Sequence, residues 1–302
     1  MPLNMFSDDR TQKAISHTAL IVAAKRAIEN QRSDRLFEDP FAALLAADEI
    51  PILLERWQKV GDNLAQITAK RTRFIAVRTR FYDDFLMSAQ LGVSQVVILG
   101  AGMDARAFRL PWHNGTRVYE IDRPEVLQYK DSILQDVPAK CFRTVIKADL
   151  TDNWVDTLLS QGFCVTHPSI WLLEGVLMYL PQIAVFKLLQ KISELSVDGS
   201  FLGADFVSVK SVEVGEKARQ SDRGRVLRHW QFGCDRPEDL LLNYGWDATV
   251  IQPGENGANF GRYSEHQPSR DIPGTRQVFL VTAKKNSPVI FRQNHEMKVF
   301  SR

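Results

Sequence analysis

The chain has 302 residues, and its 38 Lys or Arg residues nearly balance its 36 Asp or Glu residues, which leaves a formal net charge of +2. A chain this close to neutrality, with no run of Lys or Arg, is not expected to bind nucleic acid. Hydrophobic residues make up 44% of it, which is typical of a globular protein with a sizeable core. The length fits one large α/β domain with additions or two smaller domains.

The cysteines and the hydropathy pattern bear on location and on metal binding. Cys141, Cys164 and Cys234 lie far apart and form no CxxC pair. Their spacing therefore predicts neither a disulfide framework nor a zinc site, and we expect no metal. The N-terminal stretch has no apolar leader segment, and no later stretch approaches the length of a membrane span. These features predict a cytoplasmic protein without a membrane partner.

The first part of the chain, residues 14–90, is predicted to be helical. AISHTALIVAAKRAIEN has apolar residues at helical spacing, and a second helix is expected after Asp39-Pro40, where proline suits the first turn. RTRFIAVRTRFYDDFLMSAQLG continues the helical pattern and is rich in arginine. We interpret residues 1–90 as an N-terminal helical cap.

Stretches rich in β-branched and apolar residues then predict the seven strands of a sheet. They cover residues 95–102, 117–122, 143–149, 169–174, 200–207, 246–252 and 277–285. Because helical patterns separate most of them, we expect a mainly parallel, doubly wound α/β sheet. The connection before the last stretch is loop-like, which suits an antiparallel final strand.

Residues 208–235 do not fit this alternation, and we interpret them as a helical lid inserted after the fifth strand. The predicted organisation is therefore the cap, a core over residues 91–285 and a C-terminal tail over residues 286–302. The cap and the insertion are both expected to cover the carboxyl edge of the sheet, where they would exclude water from a reaction.

The strongest local signal is LGAGMDARAFRL, residues 99–110, which leads from the first strand through Gly100 and Gly102 into a helix. Glycines allow a sharp turn and let a ligand approach the backbone closely. The same pattern also occurs in plain turns, so it indicates a ligand site only together with its context.

Acidic residues supply that context, because one follows each of four successive strands. They are Asp104, Asp122, Asp149 and Glu174. Open α/β sheets bind ligands in the crevice outside the carboxyl ends of the strands. Any single acid could be a helix N-cap or a solvated loop residue. Four acids at one edge favour a ligand site instead.

Two kinds of ligand fit the glycine turn. GAGMDA satisfies the GxGxxG/A pattern of NAD(P)-dependent oxidoreductases. A pyrophosphate, however, prefers a helix N-terminus without negative charge, and Asp104 lies within this turn. S-adenosylmethionine carries a cationic amino group and a sulfonium, which suit acids. About ninety residues also precede the turn, whereas a dinucleotide-binding domain often begins the chain.

The chain resembles the leucine carboxyl methyltransferase family, and within it the bacterial branch of S-adenosylmethionine-dependent small-molecule O-methyltransferases. The matching stretches are collinear and cover residues 15–285. They are FEDPFAALL (37–45), VRTRFYDDFL (77–86), QVVILGAGMDARAFRL (95–110), VYEIDRPEVLQYK (118–130), KADL (147–150), LLEGVLMYLP (172–181) and LLLNYGWDATV (240–250). The resemblance implies a Rossmann-like class I methyltransferase fold and S-adenosyl-L-methionine as the cofactor.

The resemblance also implies where the adenosine end of the cofactor would bind. Gly100 and Gly102 would pass beneath the methionine part, and Asp122 would hold both ribose hydroxyls. Asp149 and Leu150 would frame the adenine.

At the amino-acid end, the resemblance implies that Glu174 binds the amino group and that Arg78 meets the carboxylate as a bidentate clamp. Arg78 could instead be a surface residue paired with acids of its own helix. Arg73 and Arg80 are alternative clamps, because the helical register in this part of the chain is uncertain.

On the acceptor side, Tyr179, Arg228 and His229 are the candidates, whereas Trp171 is expected in the core. Tyr179 could face the sulfonium or hold the acceptor oxygen. Methyl transfer needs alignment of nucleophile and methyl, and a carboxylate acceptor needs no general base. We therefore assign no catalytic residue among His113, His229 and His266.

Three functions remain open at this stage. The first is O-methylation of a carboxylate or hydroxyl of a small molecule, as in secondary metabolism. The second is methylation of a protein C-terminal carboxylate, as the family name implies. The third is a dinucleotide-dependent oxidoreductase or a cofactor-binding protein without catalysis. The sequence predicts no oligomeric state.

Overall fold

The computed structural model describes residues 9–219, 229–265 and 268–286, and its centre is a seven-stranded sheet. The strand order is β3-β2-β1-β4-β5-β7-β6. The strands are β1 Gln95–Leu99, β2 Arg117–Asp122, β3 Phe142–Lys147, β4 Ser169–Leu173, β5 Phe201–Val207, β6 Trp246–Ile251 and β7 Val278–Lys285. Every predicted strand is present.

The sheet is parallel from β3 through β5, and β7 runs antiparallel to both of its neighbours. The mainly parallel sheet and the antiparallel final strand are thus confirmed. The chain order reverses between β1 and β4, whose register aligns Val97 with Trp171. A reversal of this kind opens a crevice at the carboxyl ends of the strands.

Helices flank the sheet and confirm the predicted alternation. They are α1 Asp9–Asn30, α2 Ala42–Leu45, α3 Glu49–Gln58, α4 Leu64–Ala89, α5 Arg106–Arg109, α6 Pro124–Leu134, α7 Trp154–Ser160, α8 Gln182–Glu194, α9 Val209–Arg219 and α10 Pro237–Leu242. A short 3₁₀ turn, Leu177–Tyr179, follows β4. The side chain of Asn63 caps α4 by accepting a hydrogen bond from the backbone N–H of Gln66 at 3.0 Å. No helix within the described ranges is long and apolar enough to cross a membrane.

The core has two layers because the side chains of the central strand alternate between the faces of the sheet. Val96 and Ile98 of β1 belong to a cluster with α1 and α4 on one face. Val97 and Leu99 belong to a second cluster on the other face, which includes Trp171 at 0% exposure. The predicted core position of Trp171 is confirmed.

The N-terminal helices lie against the sheet, and a glycine of β5 permits the closest approach. A Cβ atom on Gly203 would lie 2.8 Å from Cε1 of Phe85 and 3.2 Å from Cδ1 of Tyr82. Only glycine lets α4 pack this tightly on β5. This packing orients the middle of α4, including Arg78, toward the carboxyl edge.

The insertion after β5 begins with α9, and the chain then returns to the sheet, where the backbone N–H of Cys234 donates to Val207 O at 2.8 Å. The predicted helical character is confirmed for α9. Residues 220–228 of the insertion and residues 287–302 of the tail lie outside the described residues. The predicted division into cap, core and tail stays a prediction.

Strand β3 ends at Lys147, two residues earlier than predicted. Oδ1 of Asp149 accepts hydrogen bonds from the backbone N–H and the hydroxyl of Thr151, at 2.8 and 2.7 Å. This local turn bends the chain away from the sheet, because aspartate side chains compete with the ladder for backbone donors.

Candidate functional site

A cavity of about 460 Å³ lies at the carboxyl ends of β1 to β5. Helices α1 and α4 form its roof, and the end of β5, residues 230–231 and the start of β7 form its far end. All eight residues predicted to bind the cofactor line it: Arg78, Gly100, Gly102, Asp104, Asp122, Asp149, Leu150 and Glu174. The structure therefore brings these residues together in one place.

The glycine turn after β1 adopts a conformation that other residues rarely adopt. Gly100 has φ of +66° and Gly102 has φ of +46°. A Cβ atom on Gly100 would lie 2.5 Å from Cγ2 of Val176, which is closer than atoms can pack. The turn is fixed by Ile121 O, which accepts from the backbone N–H groups of Gly100 and Ala101. It forms a floor without side chains, over which a ligand can lie.

Asp122 lies beside this floor. Its Oδ2 accepts from the N–H of Gly102 and its Oδ1 accepts from the N–H of Arg123, both at 2.7 Å. Burial raises the pKa of Asp122, although these two donors favour the ionised form. A carboxylate oxygen can accept more than one hydrogen bond, so each oxygen retains capacity for a ribose hydroxyl.

Glu120, the other acid of β2, is an alternative ribose ligand that the structure rules out. Its side chain is fully buried and does not line the cavity, and Lys130 and Arg143 pair with it at 2.8 and 2.7 Å. Lys130 also donates to Asp104 O at 2.9 Å. The buried Glu120–Lys130 pair therefore holds the backbone of the glycine turn through this hydrogen bond.

Asp104 and Glu174 meet at the side chain of Arg106. Nη1 of Arg106 lies 2.7 Å from Oε2 of Glu174 and is also paired with Asp104. Burial opposes ionisation of Asp104, but Arg106 and Lys130 hold its pKa at about 2. Burial likewise opposes ionisation of Glu174, whereas Arg106 and Arg78 lower its pKa. Both acids are therefore carboxylates at neutral pH.

Arg78 is a buried residue of the cavity, so its interpretation as a surface arginine is wrong. Its Nε lies 2.9 Å from Oε1 of Glu174, and its Nη1 lies 2.9 Å from Oδ2 of Asp205. Of the two alternative clamps, Arg73 pairs with Glu265 and Arg80 pairs with Asp84. Neither of them lines the cavity. Of Arg78 itself, two nitrogen atoms already face protein carboxylates.

Lys25 and Asp205 are among the charged residues of the cavity that were not predicted from the sequence. Lys25 of α1 lines the cavity, and no carboxylate in the described part of the chain lies within ion-pair distance of it. Burial, together with Arg78 and Arg71, lowers the pKa of Lys25 to about 8. Asp205 of β5 accepts from the N–H of Gly175 at 2.6 Å. The two adjacent cations in the largely apolar IVAAKRAI were the available signal for Lys25.

The far end of the cavity is apolar, and the apolar residues that line it belong to a small hydrophobic cluster separate from the two core layers. Its members are Met178, Tyr179, Val207, Val212, Trp230 and Val278. Burial raises the pKa of Tyr179, although hydrogen bonds to Trp230 and Thr18 partly offset this effect. The Tyr179 hydroxyl is therefore neutral and connects the insertion with α1.

Of the other two acceptor-side candidates, Arg228 and His229, the structure describes only His229, and this residue does not line the cavity. The two residues that follow it, Trp230 and Gln231, do form part of the cavity wall. The N–H of Gln231 donates to Met178 O at 2.7 Å and fixes them there. Arg228 and His266 lie outside the described residues.

The chain is similar in sequence to proteins that share one name. A protein of Mycolicibacterium smegmatis is 40% identical over 282 residues, which cover 85% of this chain and 90% of the relative. A protein of Mycobacterium marinum is 36% identical over 291 residues, covering 89% and 94%. Both are named as S-adenosyl-L-methionine-dependent methyltransferases. The solved magnesium protoporphyrin IX methyltransferase of Synechocystis, with bound S-adenosylhomocysteine, aligns over 78% of this chain and 95% of its own at 14% identity and a TM-score of 0.44.

The chain is an S-adenosyl-L-methionine-dependent methyltransferase with a Rossmann-like fold. It belongs to the leucine carboxyl methyltransferase family, whose model matches residues 19–193. The dinucleotide-dependent oxidoreductase considered from the glycine pattern is therefore set aside.

Proposed function

We propose that this enzyme transfers a methyl group from S-adenosyl-L-methionine to an oxygen atom of a small molecule, a carboxylate or a hydroxyl, as in secondary metabolism. The observation that carries the proposal is the division of one cavity into a charged end and an apolar end. The charged end matches the ionic groups of the cofactor, and the apolar end offers room for a largely apolar acceptor.

The adenosine part of the cofactor is proposed to lie over the glycine turn. Asp122 would accept hydrogen bonds from both ribose hydroxyls, and Asp149 and Leu150 would border the adenine. The fit rests on Gly100 and Gly102, which line the cavity without side chains. It also rests on the remaining acceptor capacity of the Asp122 carboxylate.

The amino-acid part is proposed to lie between the charges at the ends of β1 and β4. Asp104 and Glu174 would accept from the ammonium group. Oε2 of Glu174 is buried and has no aligned hydrogen-bond donor in the described part of the chain. Lys25 would meet the carboxylate, together with the remaining nitrogen of Arg78, because a half-buried cation without an ion-pair partner among the described residues favours an anionic ligand.

The bound cofactor supplies an electrophilic methyl group on a cationic sulfur. The residues of this chain orient the acceptor and exclude water. Tyr179 stands at the junction of the two ends, and its neutral hydroxyl can donate a hydrogen bond to the acceptor oxygen. An acceptor that is already anionic would react by alignment alone, without a general base.

We further propose that the reaction takes place in the cytoplasm. Cys141, Cys164 and Cys234 are all unpaired, which fits a reducing compartment.

A screen with isotopically labelled cofactor tests the acceptor class. Phenols, small carboxylic acids and peptides with a free C-terminus are compared, and the products are identified by mass spectrometry. We expect label in a base-labile methyl ester or a base-stable ether of a small molecule. Label on nitrogen or carbon would overturn the proposal, and label on peptides alone would assign the protein-methylating alternative.

Variants of the acceptor side sharpen this test. Tyr179→Phe is expected to lower kcat/KM for the acceptor without changing the affinity for S-adenosylhomocysteine. His113→Ala, His229→Ala and His266→Ala should each lower kcat by less than the roughly 10²–10⁴-fold typical of a lost general base. A collapse of kcat in one histidine variant would show that a base is used.

A further inference from the structure

One buried arginine connects the three elements that meet at the charged end of the cavity. Arg106, the first residue of α5, is 3% exposed. Its Nε donates to Oδ1 of Asp83 on α4 at 2.7 Å. Its Nη1 is paired with Asp104 of the glycine turn and with Glu174 after β4. Arg106 is not among the residues predicted from the sequence to bind the cofactor.

The two carboxylates on Nη1 would repel each other without a cation between them. Two carboxylates that share a site cannot both stay ionised, so one takes up a proton. The charged groups facing this pair are Arg78 and Asp83 from α4, Arg106 and Arg109 from α5, Lys130 from α6 and Asp205 from β5. Of these, Arg106 is the cation that contacts both acids.

Glu174 lines the cavity, and one of its oxygen atoms lacks an aligned hydrogen-bond donor even though Arg106 is close. Oε2 of Glu174 lies 2.7 Å from Nη1 of Arg106 but is not aligned for a hydrogen bond, and it is buried without another donor in the described part of the chain. An ammonium group has three donors and no acceptor. It would donate a hydrogen bond to Oε2 of Glu174. Its positive charge would also balance the second carboxylate, because Asp104 and Glu174 share the single positive charge of Arg106.

We propose that Arg106 is a positioning residue that keeps Asp104 and Glu174 ionised and aligned for the ammonium group of the cofactor. This inference rests on the proposed placement of the cofactor in the cavity. It predicts that Arg106 contributes to recognition of the amino-acid part alone. The adenosine part would lie at Asp122, Asp149 and Leu150, and its binding should not depend on Arg106.

Titration calorimetry with two ligands separates this role from a general structural one. S-adenosylhomocysteine carries the amino-acid part, whereas 5′-methylthioadenosine has the same adenosine and thioether without it. In Arg106→Gln, we expect the affinity for S-adenosylhomocysteine to fall by about tenfold or more, as for a lost charge-assisted interaction. The affinity for 5′-methylthioadenosine should change less than about twofold.

The pH profile provides a second readout. In Arg106→Gln the two acids are expected to share a proton near neutral pH, and the ammonium group must expel it on binding. The affinity of the variant for S-adenosylhomocysteine should therefore rise with pH between about 5 and 8. The wild-type affinity should be flat by comparison, because both acids are already ionised.

Arg109→Gln is the matched control. Arg109 lies one turn further along α5 and pairs with the same Asp83 at 2.6 and 2.7 Å, but it contacts neither Asp104 nor Glu174. The Arg109→Gln variant should lower Tm as Arg106→Gln does. It should leave the ratio of the affinities for S-adenosylhomocysteine and 5′-methylthioadenosine unchanged. If Arg106→Gln does not fold, Arg106→Lys decides, because it keeps the charge but cannot contact three carboxylates with the same geometry.

The outcomes are distinct. If the wild type does not bind S-adenosylhomocysteine, the proposed function fails. If it binds but Arg106→Gln loses both ligands equally, or Arg106→Lys keeps the wild-type ratio of affinities, the positioning role is overturned. A selective loss of S-adenosylhomocysteine in either Arg106 variant, with a new pH dependence in the glutamine variant, supports it.

Discussion

At the scale of single residues, the cavity contains polar atoms that the protein holds in place but that can still form further hydrogen bonds. Asp122 shows this most clearly, because two backbone N–H groups orient its carboxylate while each oxygen can still accept a further bond. Burial strengthens such bonds, since water does not compete with them. The ribose would therefore bind to a carboxylate that needs no rearrangement.

Replacement of Asp122 by alanine tests this arrangement. Hydrogen bonds to charged groups contribute roughly 1.5–3 kcal/mol each, so the dissociation constant for S-adenosylhomocysteine should rise at least about tenfold. Calorimetry on the folded variant measures it. Glu125→Gln is the control, because Glu125 is an exposed acid near Asp122 that does not line the cavity. An unchanged affinity in Asp122→Ala would place the ribose elsewhere.

The pKa of Lys25, lowered by burial to about 8, predicts a pH dependence of cofactor binding. A bound carboxylate favours the protonated form and raises this pKa. Below pH 8 the lysine is already charged, whereas above pH 8 binding must take up a proton. The affinity of the wild type should thus fall by up to about tenfold per pH unit above 8.

Lys25→Arg is the matched variant, because arginine stays protonated in this range. The amino group of the ligand titrates in the same way in both proteins, so it cancels from the comparison. The wild-type affinity for S-adenosylhomocysteine should fall more steeply between pH 8 and 9.5 than that of the variant. Parallel curves would show that Lys25 does not meet the carboxylate.

The sequence was sufficient to find Gly100, Gly102 and the four acids at the ends of the first four strands, because strand ends meet at one edge of the sheet. Residues whose place depends on tertiary packing were not found. Asp205 lies 127 positions from Arg78, with which it pairs, and no local pattern connects them. Lys25 and Arg106 belong to helices whose rotation about their axes was not predicted.

At the scale of elements, the turn after β1 is the most constrained part of the site. Gly100→Ala would force a Cβ atom against Val176 at a positive φ. We expect a loss of about 2 kcal/mol of stability and a fall in Tm of about 5 °C, measured by calorimetry. Gly92→Ala is the control, since it has neither a positive φ nor an atom within 4 Å of the added Cβ. An equal Tm in both variants would contradict the strained turn.

Strand positions were predicted well because buried parallel strands are short apolar runs between polar loops. The end of β3 was misplaced by two residues, because the side chain of Asp149 bonds the backbone of Thr151 and stops the ladder. Such competition depends on the local conformation of the chain and not on hydropathy.

At the scale of the whole molecule, buried ion pairs connect the N-terminal helices with the sheet. Arg26 of α1 pairs with Asp39, Arg109 and Arg106 pair with Asp83 of α4, and Arg106 continues to the ends of the strands. The roof of the cavity is thus fixed to its floor through ion pairs that end on Glu174, a proposed cofactor ligand. Breaking one buried pair leaves an uncompensated charge, so cofactor affinity and folding stability are expected to be coupled.

The central claim is that one cavity holds the cofactor at its charged end and the acceptor at its apolar end. A crystal structure of the protein with S-adenosylhomocysteine tests it most directly. We predict the ribose hydroxyls on Asp122, the amino group between Asp104 and Glu174, and the sulfur directed toward Tyr179. A ligand bound outside this cavity, or bound within it with the sulfur directed away from Tyr179, would contradict the account.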